Sequence, residues 1–274
     1  MNNPISFPFS SDDTVALQLG PLDIRWYALS YIFGLLIGWA YIAWLTKRPP
    51  RVLNREQLSD FVTWAVLGII LGGRLGYVLF YMPSYYLSHP QEILFVWQGG
   101  MSFHGGLIGT VVSLVWFTHR RELPFLALAD LLACATPIGL FLGRIANFIN
   151  GELYGRTTDA PWAVVFPNGG PQGRHPSQLY EAMLEGLLLF VVLLLIVRIS
   201  RARELPGLIS GIFLAGYGVA RVIVELYREP DAHLGFVAWG ATMGQLLSIP
   251  IILAGLYLVQ RAMRTQFDAE GNAS

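Results

Sequence analysis

The chain is poor in charge, in lysine and in cysteine, and each shortage excludes something. Only 13% of its 274 residues are charged and 54% are hydrophobic, whereas soluble domains carry about 25% charged residues. An ordinary water-soluble domain is therefore excluded, as are disordered and collagen-like chains. The single cysteine, Cys134, lies within an apolar run; one cysteine makes no internal disulfide, metal cluster or redox pair. The only lysine, Lys47, falls in a basic loop, which leaves no Schiff-base lysine in an apolar segment and excludes a retinal-type receptor. Eighteen basic residues balance eighteen acidic ones, so no strong field points to nucleic acid. No basic stretch precedes an apolar one near the start, where the first cation is Arg25; a cleaved signal peptide is not expected and the N-terminus should be retained.

What the chain has in abundance is long apolar runs. A membrane span needs about 20 such residues, and runs of that kind predict seven helices, at 26–46, 59–81, 103–118, 125–149, 178–197, 207–226 and 238–260. The third is short and follows Gly99 and Gly100; the apolar stretch from Ile93 to Trp97 is a candidate extension of it. The expected fold is an all-α polytopic membrane protein forming one integral domain over 1–274, with a loop region at 150–176 between helices four and five. Positively charged loops stay cytoplasmic. Lys47, Arg48, Arg51, Arg55, Arg120, Arg121, Arg198, Arg201, Arg203, Arg261 and Arg264 all fall on one face of the seven-helix arrangement. Arg25, Arg156, Arg174 and Arg228 fall on the other, accompanied by Asp12, Asp13, Asp23, Glu92, Asp159, Glu229 and Asp231. This predicts a periplasmic N-terminus and a cytoplasmic C-terminus.

Ionisable groups within spans are costly unless they pair or line a wet cavity, so each is a functional candidate. Arg74, Arg144, Arg221, Glu181 and Glu185 fall in predicted spans, and by this topology all lie in the outer half of the bilayer, with His104 in the same layer. Tyr217, Arg221, Glu225 and Arg228 share one helical face, from their offsets of 4, 8 and 11 residues at about 3.6 residues per turn. Arg144 and Asn147 lie three apart, just before Asn150 and Glu152, where Gly151 and Gly155 should break the helix into a loop. His104 is followed by Gly105 and Gly106, which admit close approach of a backbone or a lipid headgroup. Two explanations remain open. Arg74, Arg144 and Arg221 match Glu181, Glu185 and Glu225 in number, so mutual salt bridges that fix helix packing account for Arg74 and for the Arg221–Glu225 pair. Arg144 and Arg221, at one depth beside His and Asn, instead favour binding of an anion. His89 and His233 read as loop residues, His119 as cytoplasmic, and His175 before Pro176 as a start signal for helix five. Cys134, ten residues before Arg144, reads as a small buried filler.

The segment GRIANFINGELYG, Gly143 to Gly155, resembles the signature of the bacterial prolipoprotein diacylglyceryl transferases. FHGG at 103–106, HPSQLYE at 175–181, YGVARVIVELYREPD at 217–231, RWYAL at 25–29 and GGRLGYVLFY at 72–81 are similar to that family's segments too, and the likeness runs from about residue 20 to 262. It implies an inner-membrane enzyme with its active site toward the periplasm, which moves the diacylglyceryl group of phosphatidylglycerol onto the lipobox cysteine of a prolipoprotein. It also implies catalytic roles for His104, Arg144, Arg221 and Tyr217, and substrate binding by Arg144, Asn147, Glu152, Gly155, Tyr27 and Glu225. No cofactor or metal is implied, and no metal-ligand spacing is visible.

That chemistry suits the charged layer. The nucleophile belongs to the substrate, so the enzyme needs none. A free thiol has a pKa of about 8.5, and an imidazole such as that of His104 is a suitable base. The planar forks of Arg144 and Arg221 suit a phosphodiester whose charge grows as it leaves, and Tyr217 and Asn147 offer neutral hydrogen bonds. An intramembrane serine protease would have to use Ser102 beside His104, without the usual Gly-x-Ser-Gly arrangement. An outward-facing transporter or binder of an anionic lipid or solute is the competing function, although no internal repeat of the common transporter kind is visible.

Overall fold

A backbone surrounded by lipid has to satisfy its own hydrogen bonds, and a helix does so within one segment. The computed structural model describes residues 4–10, 14–19, 22–199, 201–230, 235–237 and 240–271; Asp12, Asp13, Asp231 and His233 lie outside them. The long helices are α1 (Trp26–Leu45), α2 (Arg55–Phe80), α4 (Phe103–Arg120), α5 (Phe125–Ile149), α8 (Leu208–Glu225) and α9 (Met243–Gly271), with the short α3 (Pro83–Ser88) after α2. A further rod consists of α6 (Ser177–Glu181), a π-helical segment Ala182–Leu188 and α7 (Leu189–Ile199).

Six of these are long and apolar enough to cross a membrane: Trp26–Leu45, Arg55–Phe80, Phe125–Ile149, Ser177–Ile199, Leu208–Glu225 and Met243–Gln266. The chain is thus a multi-pass, mostly helical membrane protein. The expected third span forms as α4 but is not among the six, because His104, His119, Arg120 and three hydroxyl residues dilute its apolar face. The stretch from Ile93 to Trp97 does not extend it. It forms 3₁₀ turns at Pro90–Leu94 and Val96–Gln98, and Gly99 and Gly100 then take φ of 85° and 75°, which ends helical continuity. The second helix starts at Arg55 rather than 59 because Asn54 caps it in a reciprocal bond with Gln57. Nor is the fold wholly helical. Strands β2 (Val15–Leu19) and β3 (Leu22–Arg25) pair antiparallel, and the two-residue β1 (Ile5–Ser6) pairs parallel with β4 (Val164–Val165).

The chain forms two compact units, one of residues 1–42 and 130–274 and the other of residues 43–129. In the smaller unit, Gly68, Gly72 and Gly76 of α2 face Gly105 and Gly109 of α4 so closely that a Cβ on Gly109 would strike the Gly68 carbonyl. Small residues let helices approach in this way. Phe61 and Phe117 meet edge to face at 5.4 Å, and Ser113 donates to the Trp64 carbonyl at 2.9 Å.

In the larger unit Cys134 is buried and unbonded, a filler as expected. Phe7, Phe148 and Phe166 cluster with centroids 5.3 to 6.0 Å apart. This cluster ties the segment around β1 to the end of α5 and to the loop between α5 and α6.

Candidate active site

The expected pairing of three arginines with three glutamates occurs, but with a different third arginine. Glu181, at the end of α6, and Glu185, in the π segment, are fully buried. Glu181 Oε1 accepts Arg221 Nη1 of α8 at 2.9 Å and Arg228 Nη1 at 3.2 Å, and its Oε2 forms an ion pair with Arg144 Nε of α5 at 2.7 Å. Glu185 lies 3.5 Å from Arg144 Nη2 and 3.6 Å from Arg221 Nη1. Glu225 forms an ion pair with Arg221 Nη2 at 2.5 Å, one turn along α8, and accepts the Thr242 hydroxyl at 2.6 Å. Arg228 follows the end of α8, yet its side chain returns to the same cluster, as the common helical face predicted. Arg156 closes the end of that helix by donating to the Arg228 and Glu225 carbonyls at 3.0 and 3.1 Å.

The two signs are not equally accessible. The side chains of Glu181 and Glu185 are 0% exposed, whereas those of Arg144 and Arg221 are 19% and 16% exposed. The carboxylates form a buried floor and the guanidiniums its accessible edge. Among the described residues Arg144 Nη1 and Arg221 Nε take no protein partner. Ion pairs fix the arginines, as the packing explanation expects, and each arginine keeps an uncommitted edge that can donate to an anion.

Beside this cluster, the end of α5 and the loop after it hold a second set. Asn147 Nδ2 donates to Glu152 Oε1 at 2.8 Å, and Asn150 Nδ2 to the same oxygen at 3.3 Å. Buried Gln178 donates to the Glu152 carbonyl at 2.6 Å. Gly155 pairs with the loop backbone, its N–H donating to His175 O at 2.8 Å. A Cβ there would collide with the Tyr227 carbonyl and with His175, so this position requires glycine. His175 faces the Tyr180 hydroxyl at 3.1 Å, and burial lowers its pKa, which favours the neutral imidazole. Tyr217 precedes Arg221 by one turn on α8 and stacks on Phe213. Tyr27 is exposed and meets Tyr31 hydroxyl to hydroxyl at 3.1 Å; no bond joins it to the arginine cluster.

His104 belongs to the smaller unit, where it is exposed in the first turn of α4. Buried Ser102 caps that helix by accepting from Gly105 N at 3.2 Å, a structural use of the hydroxyl that a protease would need as nucleophile. His89 and His119 are exposed at helix ends.

A family model described as prolipoprotein diacylglyceryl transferase matches residues 14–261. The chain belongs to this family. A relative from Paramagnetospirillum magneticum, named phosphatidylglycerol–prolipoprotein diacylglyceryl transferase, is 57% identical over 92% of this chain and 94% of its own length. Relatives of the same name from Gluconacetobacter diazotrophicus and Azospirillum brasilense are 54% and 55% identical, over 93% and 95% of this chain and 92% and 98% of theirs. Within the diacylglyceryl transferase fold, two expectations need correction. Among the described residues, Arg74 has no glutamate side chain as its partner. Its guanidinium is 3% exposed as a residue and donates to the carbonyls of Ile93, Gly99, Gly100 and Glu92 at 2.6 to 3.2 Å. Nor do all ionisable groups in spans share one depth. Buried Asp130 lies near the start of α5, fourteen residues before Arg144, or about 21 Å along the axis. Its carboxylate accepts the N–H groups of Gly207 and Ser210 at 2.7 Å and the Ser210 hydroxyl at 2.6 Å. An acidic residue inside an apolar run was the signal that could have found it.

Proposed function

We propose that this chain transfers the diacylglyceryl group of phosphatidylglycerol to the thiol of the lipobox cysteine of a prolipoprotein. The supporting observation is the accessible cationic edge held on a buried anionic floor, in a family whose members carry that activity in their names. The substrate thiolate attacks the diacylglycerol carbon bonded to the phosphate ester oxygen. A sulfur–carbon bond forms, the carbon–oxygen bond breaks, and glycerol phosphate leaves with the electron pair. Arg144 and Arg221 meet the growing charge on the phosphate oxygens, where preoriented donors stabilise a transition state most. His104 takes the thiol proton, which ends on the departing phosphate. Tyr217 and Asn147 orient the headgroup, and Glu152, Gly155, Tyr27 and Glu225 shape the binding region. No step requires a cofactor.

The enzyme works in the bacterial inner membrane with seven spans, the site toward the periplasm, the N-terminus and loop 150–176 outside and the C-terminus inside. Cysteines placed singly in a Cys134→Ser background should react with an impermeant thiol reagent in loop 150–176 but not at position 201. Labelling at 201 in intact cells defeats this topology. The decisive assay supplies purified protein with phosphatidylglycerol and a lipobox cysteine peptide, and expects a thioether-linked lipopeptide and glycerol phosphate. A protein that binds the lipid but leaves it intact is a transporter or binder instead.

A further inference from the structure

The buried floor beneath Arg144 and Arg221 comes from an irregular stretch of chain. Glu181 ends α6, and the seven residues after it, Glu185 among them, are π-helical. Such wide turns are rare and occur mostly inside helices at functional positions; crossing a membrane does not require one. Gly186 of this segment lies where a Cβ would meet the Phe141 backbone, on the helix that carries Arg144.

Glu181 is the one carboxylate among the described residues with contacts of 3.2 Å or less to Arg144, Arg221 and Arg228 together. A guanidinium is planar, so fixing two of its nitrogens fixes the direction of the remaining edge. For Arg144, Glu181 forms an ion pair with Nε at 2.7 Å while Glu185 accepts Nη2 at 3.5 Å, leaving the Nη1 edge. For Arg221, Glu181 holds Nη1 while Glu225 holds Nη2, leaving the Nε edge. We propose that Glu181 is a positioning residue of the transfer reaction, which sets the aim of both arginine forks from beneath without touching substrate. The proposal rests on the assignment of Arg144 and Arg221 to the phosphate.

Charge and aim make opposite predictions when Glu181 becomes neutral. Removing a carboxylate makes the cluster more positive, so attraction alone would tighten binding of anionic phosphatidylglycerol. Loss of aim slows turnover, because donors that must reorient no longer meet the transition state as built. Glu181→Gln in the full-length protein should therefore lower kcat by about 10²-fold, with KM for phosphatidylglycerol unchanged or lower, and Glu181→Asp should recover part of the rate. A kcat within about threefold of wild type, or a loss fully matched by loss of folded protein, overturns the proposal. If Glu181→Gln does not insert, Arg228→Gln is compared with Arg228→Gln/Glu181→Gln, in which one charge of each sign is removed. A double variant as fast as the single overturns the proposal, and a slower one supports it. Wild-type protein without transfer activity, or Arg144→Lys at full rate, would instead overturn the phosphate assignment itself.

Discussion

Arg74 and Arg144 are both arginines set in long apolar helices, and their surroundings differ in kind. Arg74, in the unit of residues 43–129, is enclosed by four main-chain carbonyls and packs over the Tyr86 ring at 5.1 Å. Its donors are consumed by neutral acceptors, so the charge serves as a rivet between α2 and the turns at 90–100. Arg144, in the other unit, is held on one side by carboxylates and remains partly accessible on the other. Main-chain carbonyls exhaust a cation, while two carboxylates can grip part of a planar fork and leave an edge. Intramembrane arginines thus separate by what satisfies them into those whose donors are all taken and those that keep an edge free.

The largest effect should come from replacing the fork but keeping the charge. Arg144→Lys and Arg221→Lys can still pair with Glu181, yet lysine cannot present two parallel N–H groups to a phosphate. Transfer should fall by about 10²-fold or more, the usual loss on removing one oriented transition-state donor, while the folded fraction stays near wild type. Measured rates close to wild type in both variants, with protein inserted, would return the cluster to packing alone and erase its contrast with Arg74.

Next in size is the proton transfer. A thiol of pKa about 8.5 is about 3% thiolate at pH 7, so losing the base that ionises it costs at most about 30-fold there. His104→Gln should keep lipid binding, lose transfer by up to that factor at pH 7, and regain most of it by pH 9 as the peptide ionises unaided. Lipid affinity and rate measured across this range decide the role. Weak lipid binding with no gain at high pH would assign His104 to the phosphate rather than to the proton.

Much of this contrast was legible in the sequence, and the remainder fails for identifiable reasons. Apolar runs located the long helices, and the shared face of Tyr217, Arg221, Glu225 and Arg228 anticipated the ion-pair cluster, because helical periodicity is local. The carbonyl cage of Arg74 was not legible. It depends on backbone conformations at Gly99 and Gly100 and on 3₁₀ turns that interrupt the stretch read as an apolar helix extension. The π segment that carries Glu185 has no compositional signature, whereas Arg228, which stands where Arg74 was expected in the pairing, lies on the face that helical spacing marked. The GRIANFINGELYG segment marked Asn147 and Glu152 together, and their 2.8 Å bond is a consequence of the helix ending between them.

Arg74 itself supplies the third test. Arg74→Met keeps much of the packing volume but leaves four carbonyls without their donor, at a cost of several kcal/mol, since each hydrogen bond to a charged group contributes about 1.5 to 3. Thermal unfolding in detergent should move downward while transfer per folded molecule stays near wild type. A specific activity that falls together with the Arg144→Lys value would show that Arg74 also serves the reaction, and the division drawn above would fail.

The smallest effect is expected at Asp130, the anionic counterpart of Arg74. This buried carboxylate receives two main-chain N–H groups and one hydroxyl at the start of α8, where Gly207 provides no side-chain cap of its own. It therefore supplies, from α5, the acceptor that an N-cap side chain would normally provide, and its charge favours the positive end of the helix. Asp130→Asn retains one carbonyl oxygen but turns an NH2 group toward a donor, so one of the bonds is lost. The expected cost is about 1 kcal/mol, typical of losing a cap, against several for the cage of Arg74. Because α8 carries Tyr217, Arg221 and Glu225, a shifted helix would change transfer as well as stability. If main-chain satisfaction makes a buried charge purely structural, unfolding temperature falls slightly and kcat per folded molecule does not change. A kcat loss exceeding the stability loss would instead show that the cap at one end of α8 sets the register of the arginine at the other, and that satisfaction by the main chain is not sufficient to call a charge structural.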